Sequence, residues 1–170
     1  MDDYKKDYFG ACVRNTHPGL IIRMRSGFAV LCDYQFIPGW CLLLGYPEPY
    51  STAKALTDLS LEARSHYLLD TTLIGEALIK VCNPLRINYS TLMNSDAGQF
   101  LHTHIEARYE WEPYENRTKP TARYPDEKLF HKNHELNEQK HGDLKRKLAE
   151  TLKDLMKKAY GEDYDFNLMM

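Results

Sequence analysis

One stretch of this chain has the apolar spacing of a long helix, and it lies between runs that have the length of β-strands. Its apolar residues recur at steps of three, four and seven, which places them on one face of a helix: Ala63, Tyr67, Ile74, Leu78 and Val81. Asp58 or Ser60 can cap its start, and Asn83-Pro84 ends it. A helix of this kind needs a sheet to cover.

Five short apolar runs supply that sheet. Three precede the helix, LIIRMR (20–25), FAVLCD (28–33) and WCLLLGY (40–46), and two follow it, RINYSTL (86–92) and FLHTHIEARY (100–109). The order predicts an α+β fold, in which one long helix covers an antiparallel five-stranded sheet. Tyr89 and Leu92 are assigned to the core.

The ends of the chain differ from this centre. Residues 1–19 are polar and irregular and are predicted to form an N-terminal arm before a domain spanning 20–125. Beyond Tyr109, three prolines among charged residues predict an extended surface segment. Residues 126–170 are predicted to be a C-terminal helical extension, a docked surface helix with one apolar stripe: Leu144, Leu148, Leu152, Leu155 and Met156.

Composition narrows the class of protein. A chain of 170 residues, 43% of them apolar, is expected to form one main domain. Its net charge of −2 argues against binding a nucleic-acid polymer but permits a small phosphorylated ligand. The four scattered cysteines are interpreted as reduced thiols. No apolar run has the length of a membrane span and the start has no signal-peptide pattern, so we expect a soluble, cytoplasmic protein.

His102 and His104 are the residues best placed for chemistry. Being two apart on a predicted strand, their imidazoles project from the same face. Such a pair can chelate a metal if a third ligand joins it, with candidates in Glu106 and in three distant histidines, His131, His134 and His141. The pair alone leaves metal binding, catalysis and neither as open alternatives.

The surrounding sequence resembles the histidine triad (HIT) family over about residues 26–125, particularly bacterial members that hydrolyse diadenosine polyphosphates. The similar features are the Pro-Gly-Trp-Cys turn (38–41), the Ile-Asn-x-x-x-Leu strand (87–92) and the His-x-His run, in the family's order. The resemblance implies a strand with alternating histidines. The middle one attacks the α-phosphorus of a dinucleoside polyphosphate or nucleoside phosphoramidate, and water hydrolyses the nucleotidyl-histidine. It also implies a homodimer and no required cofactor, although a divalent cation can accompany the nucleotide.

Two registers of the triad fit the sequence. Aligning Arg108 with the arginine that ends the family's motif puts Phe100, His102 and His104 at the three positions and makes His102 the nucleophile. Starting at His102 instead makes His104 the nucleophile and Glu106 the third member. We favour the first register.

Further contacts to the substrate are expected from Asp33, towards the ribose hydroxyls, and from the segment before the histidines, including Asn94, Ser95, Gln99 and Phe100. Trp40 is interpreted as core or pocket wall. One triad histidine is missing in either register, so the alternative functions are a nucleotide-binding protein without turnover and a His-x-His metal-binding protein.

Overall fold

The computed structural model describes residues 4–50, 53–93 and 101–161. Five antiparallel strands form one sheet in the order β1-β2-β3-β5-β4. Their bounds are β1 Leu20–Arg23, β2 Gly27–Leu31, β3 Cys41–Gly45, β4 Arg86–Leu92 and β5 His102–Arg108. The helices are α1 Tyr8–Val13, α2 Leu61–Cys82 and α3 Glu138–Tyr160. The predicted five-stranded α+β fold is confirmed.

The central strands are apolar because both of their faces are covered. All five residues of β2 are buried, and so are four of the five in β3, which pairs with β2 and β5. Gly27 begins β2 where the strands come very close. A Cβ at this position would lie 2.1 Å from the Leu44 carbonyl oxygen, so only glycine fits without a backbone shift.

Helix α2 begins and ends as its sequence predicts. The Ser60 side chain accepts a hydrogen bond from the Ala63 backbone N–H at 3.1 Å, and Asn83 adopts a left-handed conformation that ends the helix before Pro84. The predicted stripe faces the sheet, with Tyr67, Ile74 and Leu78 among its buried members.

Helix α3 completes the cover on the same face of the sheet. Its apolar stripe enters the core that α2 shares with the strands, and four of its residues are buried: Leu148, Leu152, Leu155 and Met156. A polar contact fixes its far end, because the Tyr160 hydroxyl donates to the buried Asp70 carboxylate on α2, which also accepts from the Ser26 N–H and hydroxyl at 2.7 Å each. The C-terminal stripe is therefore part of the main core.

The opposite face of the sheet is covered by two other parts of the chain. Helix α1 packs over β2 and β3 through Phe9 and Cys12, so the predicted irregular arm contains a helix. The segment after β5 covers the other half as short helical turns, at Tyr114–Arg117, Thr121–Arg123, Asp126–Leu129 and Lys132–His134. The prediction of an extended surface segment was wrong, because Glu112, Thr121 and Tyr124 are buried there.

Strand β4 is the edge of the sheet, which explains a second wrong assignment. Tyr89 and Leu92 were expected in the core, but they are 46% and 38% exposed.

Further short helical turns lie at Tyr4–Lys6, Pro47–Tyr50 and Leu56–Asp58. Within the described ranges, no helix is both long and apolar enough to cross a bilayer.

Candidate active site

Strand β5 carries His102 and His104 on the face opposite the long helices. Their ring centroids are 5.3 Å apart with the ring planes at 74°, so the two imidazoles face one another edge-on. Thr103 points the other way, where its hydroxyl makes hydrogen bonds with Tyr67 at 2.9 Å and Thr91 at 3.0 Å. These bonds hold the strand down on the helix side, and the period of two places both histidines together on the other.

Trp40 determines which nitrogen of His104 carries a proton. The indole Nε1–H donates a hydrogen bond to Nδ1 of His104 at 3.1 Å. Because an indole nitrogen can only donate, Nδ1 must be the acceptor and the proton of the neutral ring lies on Nε2. Burial, together with the nearby charge of His102, lowers the pKa of His104 to about 4. His104 is therefore neutral at pH 7 and presents an N–H donor at Nε2.

A buried glutamine holds Trp40 in this position. The Gln35 amide donates to the carbonyl oxygens of Cys32 and Trp40, and its oxygen accepts from the Gly39 N–H at 3.0 Å. Gly39 has a φ of 81°, which the Pro-Gly turn requires and glycine adopts without strain. Sequence reasoning identified the turn but missed Gln35, since a lone glutamine in a loop gives no periodic signal.

The floor around the two histidines is mixed in character. In the strand register, His104 lies between Leu42 and Ser90, and His102 lies between Leu44 and Leu92. The side towards β3 is therefore apolar, and the side towards the edge strand is more open to solvent. Such surroundings strengthen hydrogen bonds to a bound anion more than bulk water would.

Glu106, the third member of the triad in the second register, is on the same face but faces a different partner. It is only 3% exposed, and its Oε2 accepts a hydrogen bond from the Thr121 hydroxyl at 2.8 Å. Burial raises its pKa above the usual range, against the lowering effects of Thr121 and Arg108. This carboxyl belongs to the contact between the sheet and the segment that covers it.

A buried ion pair anchors that covering segment. Arg108 and Glu112 have fully buried side chains, joined by a 2.7 Å contact from Nη2 to Oε2. The guanidinium also donates to the carbonyl oxygens of Asn116 and Lys119, and Glu112 accepts from the Tyr124 hydroxyl at 2.9 Å. Arg108 thus fixes residues 112–124 over the sheet.

The other predicted contacts fall into two groups. Asp33 follows the end of β2 and lies against the N-terminal segment, with the Tyr8 hydroxyl 3.5 Å from its Oδ1. Burial raises the pKa of Asp33. Asn94, Ser95, Gln99 and Phe100 lie outside the described residues.

In the part of the chain that the structure describes, no three His, Cys, Asp or Glu side chains are grouped so that they could hold a metal ion.

The sequence matches no protein-family model and no curated protein. Solved structures do match. A histidine triad protein from Sinorhizobium meliloti superposes with a TM-score of 0.62 at 20% identity, covering 78% of this chain and 87% of its own. A histidine triad protein from Marinobacter aquaeolei has a TM-score of 0.59 at 20% identity, over 80% and 89% of the two chains.

A third structure covers nearly the whole length of both chains. It is a hypothetical histidine triad nucleotide-binding protein from Sulfolobus tokodaii, with a TM-score of 0.58 at 19% identity over 94% of this chain and 98% of that one. All three superpose on this chain over 78% of its length or more. The chain has the fold of the histidine triad proteins.

Proposed function

We propose that this chain is a HIT-type nucleotide hydrolase or transferase that cleaves dinucleoside polyphosphates or nucleoside phosphoramidates at the α-phosphate. The observation that carries the proposal is the His102–His104 pair, in which Trp40 holds one ring neutral with its proton on Nε2. A strand that presents one nucleophilic imidazole beside one fixed donor suits attack on a phosphate.

In this reaction, a ring nitrogen of His102 attacks the α-phosphorus. A phosphorus–nitrogen bond forms as the bond to the leaving phosphate or amine breaks, and the amine takes a proton from water as it leaves. A second water then displaces the histidine, loses a proton to solvent and releases the mononucleotide. The Nε2–H of His104 donates to a phosphoryl oxygen, where negative charge must be stabilised in the transition state. His104 stays neutral throughout.

The hydrogen bond from Trp40 favours the first register of the triad over the second. With Nδ1 accepting from the indole and Nε2 protonated, His104 has no lone pair left for attack. His102 is then the nucleophile, as the alignment of Arg108 indicates. Phe100 occupies the first triad position in this register, and Asn94, Ser95 and Gln99 are proposed as further phosphate donors, with Asp33 towards the ribose.

The test is hydrolysis of diadenosine tetraphosphate and of adenosine phosphoramidate by the wild type and three variants. We expect His102→Ala to abolish turnover and His104→Ala to lower kcat by about 10²- to 10³-fold, as removal of a transition-state donor does. His66→Ala, on α2, is the matched control and should leave the rate unchanged. A nucleotidyl adduct on His102, seen by mass spectrometry after acid quench, would identify the nucleophile. Equal rates in wild type and His102→Ala would eliminate the proposed role.

A second candidate is a nucleotide-binding protein without turnover, which the phenylalanine at position 100 favours because a triad histidine is replaced. Calorimetry with AMP distinguishes the two. Micromolar binding together with no hydrolysis of either substrate would support the binding protein, whereas absence of binding would contradict both candidates.

A second copy of this chain is the partner we propose. Large apolar side chains are exposed on the outer face of α2 and on the edge strand: Leu61 at 76%, Leu68 at 65% and Tyr89 at 46%. Among the described residues, β4 pairs only with β5, and a sheet edge of this kind beside an apolar helix face suits pairing with a copy of itself. Sedimentation should give twice the chain mass, and Leu68→Glu should return it to the monomer.

A further inference from the structure

A pocket lies on the histidine side of the sheet, between the loop after β2 and the segment that follows β5. It has a volume of about 400 Å³, and its walls include Phe36, Trp111, Tyr124, Lys128, His131 and His134. Neither catalytic histidine lines it. The proposed reaction at His102 leaves this pocket unexplained.

The walls of the pocket are held by backbone and buried side-chain bonds. The Gln35 N–H donates to the His134 carbonyl at 2.7 Å, which ties the two sides of the pocket together. Tyr124 is buried and donates to Glu112 of the buried ion pair. The pocket is therefore formed before any ligand arrives, as small-molecule sites usually are.

Aromatic rings dominate the interior. Phe36 makes edge-to-face contacts with three neighbours, at centroid distances of 5.0 Å to Tyr124, 5.2 Å to His134 and 6.3 Å to Trp111. Trp111 is 56% exposed, although one of its faces stacks on Tyr109 at 5.8 Å and 16°. An exposed indole fixed at the mouth of a pocket suits a planar ring ligand, since stacking accepts any flat aromatic face.

Polar groups at the rim can bind the edge of such a ring. The Nδ1 atom of His131 accepts a hydrogen bond from the Asn133 N–H at 3.2 Å, so the neutral ring carries its proton on Nε2 and can donate. Lys128 and Glu127 contribute charges of opposite sign, and Asn116 adds an amide that can donate and accept. Aromatic walls with a few donors and acceptors match a nucleobase better than they match an aliphatic ligand.

One buried cluster connects this pocket to the histidines. Trp40 and Tyr124 belong to it and Phe36 packs against it, while Trp40 donates to His104 on its other side. We propose that the pocket binds the base of the leaving nucleotide when the substrate is a dinucleoside polyphosphate. This inference rests on the proposed function and names a subsite for the half of the substrate that His102 does not retain.

The test compares two substrates that differ only in what leaves. Diadenosine tetraphosphate has a leaving nucleoside and adenosine phosphoramidate has none. We expect Trp111→Ala to raise KM for the tetraphosphate about tenfold, through loss of stacking, and to leave KM for the phosphoramidate unchanged. Tyr114→Ala is the matched control, because Tyr114 is 71% exposed on the same segment and does not line the pocket. Circular dichroism checks that each variant is folded.

A binding measurement gives a second readout without turnover. In the His102→Ala background, diadenosine tetraphosphate should quench tryptophan fluorescence more than AMP does, and Trp111→Phe should remove that difference. Equal effects of Trp111→Ala on both substrates, or none on either, would overturn the subsite while His102-dependent hydrolysis stands. Loss of hydrolysis in the wild type itself would instead overturn the proposed function and the subsite with it.

Discussion

The two faces of the sheet are built by different means. On one face, α2 and α3 pack apolar stripes on the strands and form a single continuous core. On the other, α1 and the segment after β5 each cover a smaller cluster, with the two histidines between these covers and a buried ion pair fixing one of them. Two long helices stabilise the first face, whereas the second relies on the short helix α1, on short helical turns and on specific polar bonds, and so leaves room for a site.

The largest effect is expected from a variant that destabilises the histidine side of the sheet. Glu112→Ala leaves the Arg108 guanidinium buried without its carboxylate, which costs about 3–5 kcal/mol of the free energy of unfolding. The matched control is Glu76→Ala, which removes the half-exposed partner of Lys80 and should cost under about 1 kcal/mol. Urea unfolding measures both. Similar costs for the two variants would show that the ion pair does not hold this face together.

The stability of the helix-covered face is expected to depend on pH through Asp70. Burial raises the pKa of Asp70 to about 6, against the hydrogen bonds from Ser26, while the unfolded group keeps its usual 3.8. Between these values the folded chain retains a proton that the unfolded chain has lost. The contribution of Asp70 to stability therefore falls as pH rises through this window, by on the order of 2–3 kcal/mol.

Asp70→Asn imitates the protonated group, because its oxygen can accept from Ser26 and its amide can donate to the Tyr160 oxygen. In urea unfolding from pH 4 to pH 7, we expect the free energy of unfolding of Asp70→Asn, relative to the wild type, to rise by about 2–3 kcal/mol and then to level off. Asp154→Asn, on the exposed side of α3, serves as control. A constant difference between Asp70→Asn and wild type would contradict the prediction.

Acid acts on the histidine side of the sheet in the opposite sense, because buried histidines lower the stability of the folded chain as the pH falls. His17 packs against Tyr8 of α1, with the ring centroids 4.1 Å apart, and burial with the nearby charge of Lys145 lowers its pKa to about 4. Burial, with the nearby charge of His102, lowers the pKa of His104 to about 4. Their contribution to stability is complete above the usual pKa of 6.5 and is lost as pH falls towards 4. Between about pH 6 and pH 4, acid therefore reduces the stability contributed by these histidines, whereas it increases the contribution of Asp70.

The smallest expected effect concerns one hydrogen bond at the site. Trp40→Phe removes the donor to Nδ1 of His104, so the ring can exchange between its two tautomers. We expect kcat to fall about tenfold with little change in KM, since a fixed donor acts mainly in the transition state. Nitrogen chemical shifts should show one tautomer in the wild type and a mixture in the variant. Trp40→His, which supplies another ring N–H, should restore part of kcat.

The sequence predicts the helix-covered face far better than the histidine face. Strands β2 and β3 and helix α2 have strong apolar runs or stripes, and a period of two places His102 and His104 together. The contacts of Arg108, Glu112 and Gln35 have no such period, because each depends on a partner brought close only by the fold. Tyr89 and Leu92 were misassigned for a related reason: alternation alone does not indicate whether an edge strand will be covered.

The place of α3 in the main core has a consequence for synthesis of the chain. Leu78 on α2 and Met156 on α3 share that core, yet 78 residues separate them. At about 5–20 residues per second, the ribosome takes roughly 4–16 s to make this interval. During that time strands β1 to β3 and α2 carry an apolar surface with no cover from α3. The growing chain is then most open to aggregation, and a chaperone that binds apolar surfaces would protect it most.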